Sequence, residues 1–280
     1  MPFLVTKNGT PELTYSQTRR ASLRTPTRGV RTAAQAATWL DDVAAVALTL
    51  PPGAAFSHTT AAQLLGLPTP WPDGRPLHVT VPRAVNRGRR KAVAWHQRDL
   101  TGCTLRAGGF AVTDHARTWL DLGAVLTMPD LVAVTDVMLR RGLVSVGDLQ
   151  IAPGTRGVAT LREALMLADP DSRSVRESLL RVQLHSSGLP APRINMDIIE
   201  EGIWLGCGDL VWPEFTLVIE YDGIHHDSQR QRHQDAQTRN AYAEHGWECL
   251  VLTNWHFRHM HDTIEMIARV MRQRGWQGTV

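Results

Sequence analysis

The stretch Ile203-Trp204-Leu205-Gly206-Cys207-Gly208-Asp209-Leu210-Val211-Trp212, then Pro213-Glu214-Phe215, then Thr216-Leu217-Val218-Ile219-Glu220-Tyr221-Asp222-Gly223, is where the chain is most informative. Two β-rich runs flank a short turn cluster, which is the pattern of a hairpin. A symmetric closure through residues 212–215 sets Val211 opposite Thr216 and Asp209 opposite Val218, with Glu220 two residues further on. Side chains alternate with period 2, so Asp209 and Glu220 share one sheet face on diagonal positions, about 7 to 8 Å apart at the backbone. Leu217, Val218 and Ile219 are apolar without a break, so this strand is predicted to be covered on both faces, with Glu220 at the end of a buried element. A carboxylate placed there needs a partner. Either one divalent cation bridges the two acids, or they are solvated acids at loop ends.

Working outward, Ser174 opens a periodic helix that turns Leu179, Leu180, Val182 and Leu184 inward and stops at Gly188 and Pro190. Strands are predicted at Ile194–Ile199, Ile203–Val211 and Thr216–Tyr221. A polar helix follows from about Ser228 to His245, then a strand over Trp247–Thr253 and a closing helix over His261–Arg274. The order is α-β-β-β-α-β-α. Ser174-Val175-Arg176-Glu177 matches the capping box, in which Ser and Glu satisfy each other's backbone amides. In such a layout Glu177 also falls near the sheet end. His226, Arg230 and His233 recur at helical spacing, with Asp235 and Arg239 four apart. They form either a solvated helix face or a site where an imidazole exchanges a proton near neutrality. His256, His259 and His261 have no thiolate nearby and read as ordinary loop histidines.

Taken together, Glu177, the run Gly206 to Glu214 and the run Val218 to His226 resemble the DUF559 family, very-short-patch-repair-like members of the PD-(D/E)xK endonuclease superfamily. The likeness covers about residues 171–260, through an acid-bearing helix, the pattern D-x10-E-x-D-G-x-x-H, and the downstream Asp235 and Arg239. It implies a hydrolase (nuclease) with an α-β-β-β-α-β core. It also implies Asp209 and Glu220 as ligands of Mg²⁺ (magnesium) or Mn²⁺, Glu177 as a further, accessory acid at the metal, and His226 as the histidine of the D-G-x-x-H motif. Asp222 stands where the superfamily carries the lysine of its ExK motif. With no local lysine, positioning the attacking water falls to His226, Arg239 or another water. Loss of activity is the alternative outcome.

The two halves differ in charge. Residues 1–170 hold 19 basic and 12 acidic residues, and residues 171–280 hold 11 and 15. A positive half attracts polyanions through its long-range field and through counterion release, so DNA is the expected partner. A compositional habit of the source is the plainer reading, since 28 of the basic residues are arginines and only Lys7 and Lys91 are lysines. Arg19, Arg20, Arg24, Arg28 and Arg31 lie in a Pro- and Gly-punctuated stretch that reads as a basic arm contacting phosphates, or as a merely solvated arm. Ser57-His58-Thr59-Thr60-Ala61-Ala62, Leu77-His78-Val79-Thr80-Val81-Pro82 and Val112-Thr113 to Arg117-Thr118-Trp119-Leu120-Asp121-Leu122 resemble the AbiEi-type antitoxin or transcriptional-regulator arrangement. That likeness implies DNA binding, a toxin or a second copy of the chain as protein partner, and a leading winged helix, truncated here to one short helix and a wing-like Arg28-Gly29-Val30-Arg31. By residues alone, Thr113, Arg117 and Asp121 form a helix face with a cap and an ion pair.

The resulting expectation is an α/β (α+β) chain in four parts. Residues 1–35 form the basic arm, 36–153 a mixed α/β domain, 154–170 a linker, and 171–280 the nuclease-like domain. Its 280 residues, 43% hydrophobic and 20% charged, suffice for two cores. No apolar run approaches the roughly 20 residues of a bilayer span, and a signal-peptide core is missing, so the chain reads as cytoplasmic. Cys103, Cys207 and Cys249 are odd in number and form no CxxC pair, which argues for free thiols. The expected function is metal-dependent DNA cleavage. The alternative is a DNA-binding regulator or antitoxin on a catalytically degenerate nuclease fold.

Overall fold

Leu217, Val218 and Ile219 are each 0% exposed, as their unbroken apolar run predicts. The structure, a computed structural model, describes residues 2–6, 10, 13–14, 16–34, 38–70, 76–90, 92–221 and 229–280, with only the backbone for 229–232. It is an α+β protein of two units: Met1–Thr127 with Leu143–Arg162, and Met128–Gly142 with Glu163–Val280.

The first unit begins with a three-stranded antiparallel sheet in which β3 (Val30–Ala33) lies between β1 (Phe3–Leu4) and β2 (Leu23–Arg24). The basic arm is therefore folded. Arg24 donates to Asp42 Oδ1 at 2.5 Å, and Arg31 donates to the Thr18 carbonyl at 2.9 Å. Both are partly buried, so they serve the fold rather than forming a free phosphate-binding tail, whereas Arg19, Arg20 and Arg28 are exposed.

Helix α1 (Trp39–Ala47) starts at a complete capping box between Thr38 and Asp41. It packs Val43 and Val46 against Phe56, Val79 and Val112. These last residues belong to a five-stranded mixed sheet built from β4 (Ala55–Phe56), β5 (Leu77–Val81), β6 (Val93–Gln97), β7 (Thr104–Ala107) and β8 (Phe110–Thr113). Its strand order is β6-β5-β4-β8-β7, with β5/β6 and β4/β8 parallel. Strand β7, not predicted from the residues, pairs with β8 across Gly108-Gly109, both at positive φ. Helix α2 (His58–Leu64) follows β4 at once, and α3 (His115–Leu122) follows β8. The cap of α3 is Asp114, whose carboxylate accepts from Arg117 N at 2.7 Å; Thr113 remains in the strand and shares a 2.7 Å hydroxyl contact with Thr118.

Helix α4 (Met128–Arg140) belongs to the second unit, not to the 36–153 domain that its sequence position suggested. The reason is a buried ion pair. Asp136, 1% exposed, accepts from Arg181 Nη2 at 2.9 Å and from the Asp169 amide at 2.7 Å. Helix α5 (Val158–Leu167) occupies most of the expected linker and leads to α6 (Val175–Ser186), which carries Arg181. The order that follows is the predicted one with one helix added: β9 (Arg193–Glu200), β10 (Ile203–Trp212), β11 (Leu217–Tyr221), α7 (Gln229–Glu244), β12 (Glu248–Leu252), α8 (Asn254–Arg258), which takes in His256 where a loop was expected, and α9 (Met260–Gln273). The sheet runs β12-β11-β10-β9, antiparallel except for β11/β12. One face packs Leu210, Trp212, Leu217, Ile219 and Leu252 against α6 and α9. The other packs Ile198, Val211 and Val218 against Tyr242 of α7. Each fully buried side chain of this kind contributes about 1.5 to 3 kcal/mol. Among the described residues, no helix is long and apolar enough to cross a membrane.

Candidate functional site

The β10/β11 ladder pairs Leu210 with Ile219, Val211 with Val218 and Trp212 with Leu217. Continued by one step, it sets Asp209 opposite Glu220. The symmetric closure expected from the residues is corrected by two positions. Pro213–Phe215 form a 3-10 turn, and Thr216, at φ 43°, stays in the loop instead of opening the strand. Arg274, at the end of α9, holds that turn by donating to the Phe215, Thr216 and Gly246 carbonyls at 3.3, 3.2 and 3.0 Å. Direct opposition brings the two acids closer than the diagonal would, since opposite Cβ atoms lie about 4.5 to 5.5 Å apart.

The glycines beside Asp209 answer to close packing. A Cβ on Gly206 would stand 2.4 Å from the Tyr242 hydroxyl, and one on Gly208 would stand 2.3 Å from Val218 Cγ2. Both are far inside contact distance, so α7 and β11 press on β10 where it delivers Asp209.

Asp209 Oδ2 accepts from the Tyr221 amide at 2.8 Å. Burial pushes its carboxyl above the usual range, and the Glu177 charge adds to that push. Burial likewise lifts Glu220 to about 6, reinforced by Asp209 and opposed by Arg239. Glu177 is buried, and it forms only half of the predicted capping box. Its amide donates to Ser174 Oγ at 3.1 Å, but its carboxylate reaches past the cap to accept from Arg173 N at 2.9 Å and from Asn195 Nδ2 at 3.0 Å. Asn195 itself sits at φ 47°, a costly region for a non-glycine residue, inside β9. Arg239 is exposed on α7. Asp222 and His226 lie outside the described residues.

A second constellation, not expected from the residues, lies in the first unit; His58 and His78 belong to the antitoxin-like stretches and His96 to none of them. Among the described residues, the three-member group of metal-type ligands whose donor atoms all fall within 4.8 Å of one another is His58, His78 and His96. Asp209, Glu220 and Glu177 do not meet that criterion as a trio. Burial pushes the imidazoles down, His58 to about 2 and His78 to about 4, and His96 downward as well, so all three are neutral at pH 7. Neighbouring imidazoles add to the shifts of His58 and His78, and arginines, Arg156 first, to that of His96. The signal was present in the residues: His78 and His96 each interrupt a strand of otherwise mostly apolar character.

No family model matches the chain, and no solved structure gives a significant match. The chain is similar to uncharacterized proteins of Mycobacterium tuberculosis strains CDC 1551 and H37Rv. Each is 30% identical over 158 residues, which is 54% of this chain and 58% of the relative. The chain thus spans a little over half the length of the curated relatives it matches.

Proposed function

We propose that the second unit hydrolyses phosphodiester bonds of DNA with a bound Mg²⁺ or Mn²⁺, and that the basic first unit supplies affinity for the duplex. The observation that carries this reading is the cross-strand opposition of Asp209 and Glu220, half-buried acids that burial and neighbouring carboxylates push toward neutrality. Such a pair gains most from a hard cation, and its donor set, carboxylate oxygen alone, is the one Mg²⁺ prefers. Asp209 keeps one oxygen on the Tyr221 amide and has the other to offer. Glu177, tied to Arg173 and Asn195, fits as an acid that shapes the field rather than as a third direct ligand. When bound, the cation polarises the phosphate and lowers the pKa of the attacking water. Glu220, titrating near 6, is ionised at neutral pH and available to the cation, and exposed Arg239 is placed to meet a phosphate. The order α-β-β-β-α-β and the DUF559 likeness support the same reading, as does the excess of basic over acidic residues in 1–170. The test is cleavage of labelled duplex by the full chain with each divalent ion in turn. Asp209→Asn and Glu220→Gln are expected to lower the rate about 1,000-fold, the scale of losing a group that stabilises transition-state charge, while DNA binding survives. Equal activity in both variants would reject the mechanism. Asp222 at the lysine position favours a second reading, a regulator or antitoxin on a degenerate nuclease scaffold. A sequence-specific shift of promoter DNA, without cleavage under any divalent ion, would select it.

A further inference from the structure

His58 opens α2 directly after the two-residue strand β4, at φ 51°. A non-glycine residue held there costs energy and persists only where its surroundings over-determine it, which is common at ligand sites. The surroundings here are specific. Ser57 N donates to the His78 carbonyl at 3.0 Å, His78 N donates to Thr60 Oγ1 at 2.8 Å, and the Thr80 hydroxyl donates to Ser57 Oγ at 2.8 Å. These bonds pin the start of α2 to β5. In the parallel β5/β6 ladder His78 pairs with Ala94 and Thr80 with His96, so the two histidines are diagonal neighbours on one face. Their rings meet with His78 Nδ1 and His96 Nε2 3.0 Å apart, and the His58 ring stacks on that of His96 at 3.8 Å between centroids.

His58 Nδ1 is taken up on its other side. It lies 3.0 Å from Ser57 Oγ and 3.7 Å from Asp121 Oδ2, leaving Nε2 as its remaining donor atom. Asp121 is in turn fixed by Arg117, whose Nε and Nη2 lie 3.1 and 2.5 Å from Oδ1. Asp121 is beyond hydrogen-bond length, so the group that holds His58 Nδ1 is the Ser57 hydroxyl; a partner on the far nitrogen orients a ligating imidazole. Three imidazole nitrogens around one zinc, each about 2.0 to 2.1 Å from it, stand about 3.3 to 3.4 Å apart in a tetrahedral arrangement. The 3.0 Å approach of His78 and His96 is a hydrogen bond, in which one nitrogen carries the proton; a metal takes both lone pairs once that proton moves to the other nitrogen of its ring and the pair opens by a few tenths of an ångström.

The site opens on a cavity of about 570 Å³, lined by His58 and His96 together with Arg87, Arg98, Arg117 and Arg156. Guanidinium groups repel a bare dication and attract an oxyanion. Arginines alone could hold an oxyanion, but that would not explain three imidazoles whose donor atoms all lie within 4.8 Å of one another, each with a lone pair to offer a metal; their planes stand 9 to 25° from parallel, so ligation turns the rings out of that stack.

The geometry points to a transition-metal site of the zinc class, held by His58, His78 and His96, whose fourth position faces the arginine-lined cavity and takes an oxyanion. It is independent of the acid pair in the second unit and needs hard-ion chemistry nowhere.

The test is titration of the full chain, first stripped with chelator, with Zn²⁺ alone and with Co²⁺ alone. One Zn²⁺ per chain and the visible bands of four-coordinate Co²⁺ are expected, and inorganic phosphate should shift those bands. His78→Ala with His96→Ala should weaken Zn²⁺ binding on the order of 100-fold or more. Ser57→Ala, which keeps all three nitrogens and removes the hydroxyl at His58 Nδ1, should weaken it about 10-fold. Asp209→Asn should leave it unchanged. Sub-stoichiometric binding by the unaltered chain, or equal binding by a double variant with native circular dichroism, overturns the site. Should the double variant fail to fold, the cobalt spectrum of the unaltered chain decides: no four-coordinate bands means no site. Bands that ignore phosphate overturn the oxyanion half.

Discussion

Asp209 and Glu220 stand among other acids, Glu177 and Asp235, while His58, His78 and His96 stand among guanidinium groups, Arg87, Arg98 and Arg156. Burial drives both sets toward their uncharged forms, the carboxyls upward and the imidazoles downward, and most of the neighbouring charge has the sign that adds to the shift. Neutral carboxylic acids become hard anionic ligands only on giving up a proton, whereas neutral imidazoles are borderline ligands that already carry a lone pair. The two regions are therefore suited to different ions by donor chemistry and not by shape alone. A third group shows what an answered charge looks like: Asp136 is as buried as any acid here, and Arg181 lies 2.9 Å away.

That contrast is broken most severely at Asp136. Asp136→Ala leaves Arg181 buried without its carboxylate and should cost about 3 to 5 kcal/mol. Hydrogen exchange should show lost protection over α4 and α6 with β5 and β6 unchanged; an effect spread evenly over the chain would contradict the pairing of α4 with the second unit.

Glu220 sharpens the comparison with a smaller effect of opposite sign. Its folded pKa of about 6 exceeds the ordinary 4.5, so the folded state holds the proton more tightly than the unfolded state. In chelator, stability from this group is full below pH 4.5 and is lost as pH rises through 6. The loss is about 1 kcal/mol once solvent screening of a half-buried group is allowed for. Urea denaturation between these limits should show the decline in the native chain and not in Glu220→Gln. A decline of equal size in the variant would remove Glu220 as its source.

The smallest effect separates the arginines of residues 1–35. Arg28→Ala should flatten the salt dependence of DNA binding by about one unit of slope, whereas Arg24→Ala, already bonded to Asp42, should leave the slope and lower stability instead. Equal slopes in all three proteins would remove this sheet from the proposed DNA-binding surface.

Much of the second unit was legible because its signals are local. The Leu217 to Ile219 run, the alternation around it and the Gly188 and Gly246 stops each act within a few residues, and every predicted element of residues 171–280 is found. The register between β10 and β11 was not legible. It depends on Thr216 adopting φ 43°, and Arg274 enforces that from 58 residues away. Glu177 shows the same limit: Ser174 accepts its amide as the motif predicts, but Asn195, brought up by β9, draws its carboxylate elsewhere.

The residues alone determined an α+β chain with two acids at the ends of adjoining strands, since hydrophobic period and turn chemistry are properties of short segments. The tertiary structure decided which unit α4 joins, how the hairpin closes, and that His58, His78 and His96 converge. His78 and His96 are 18 residues apart and become neighbours only because β5 and β6 pair in parallel, while the turn out of β4 swings His58 over them. Such meetings are settled by the packing of whole elements, and no short segment carries the information.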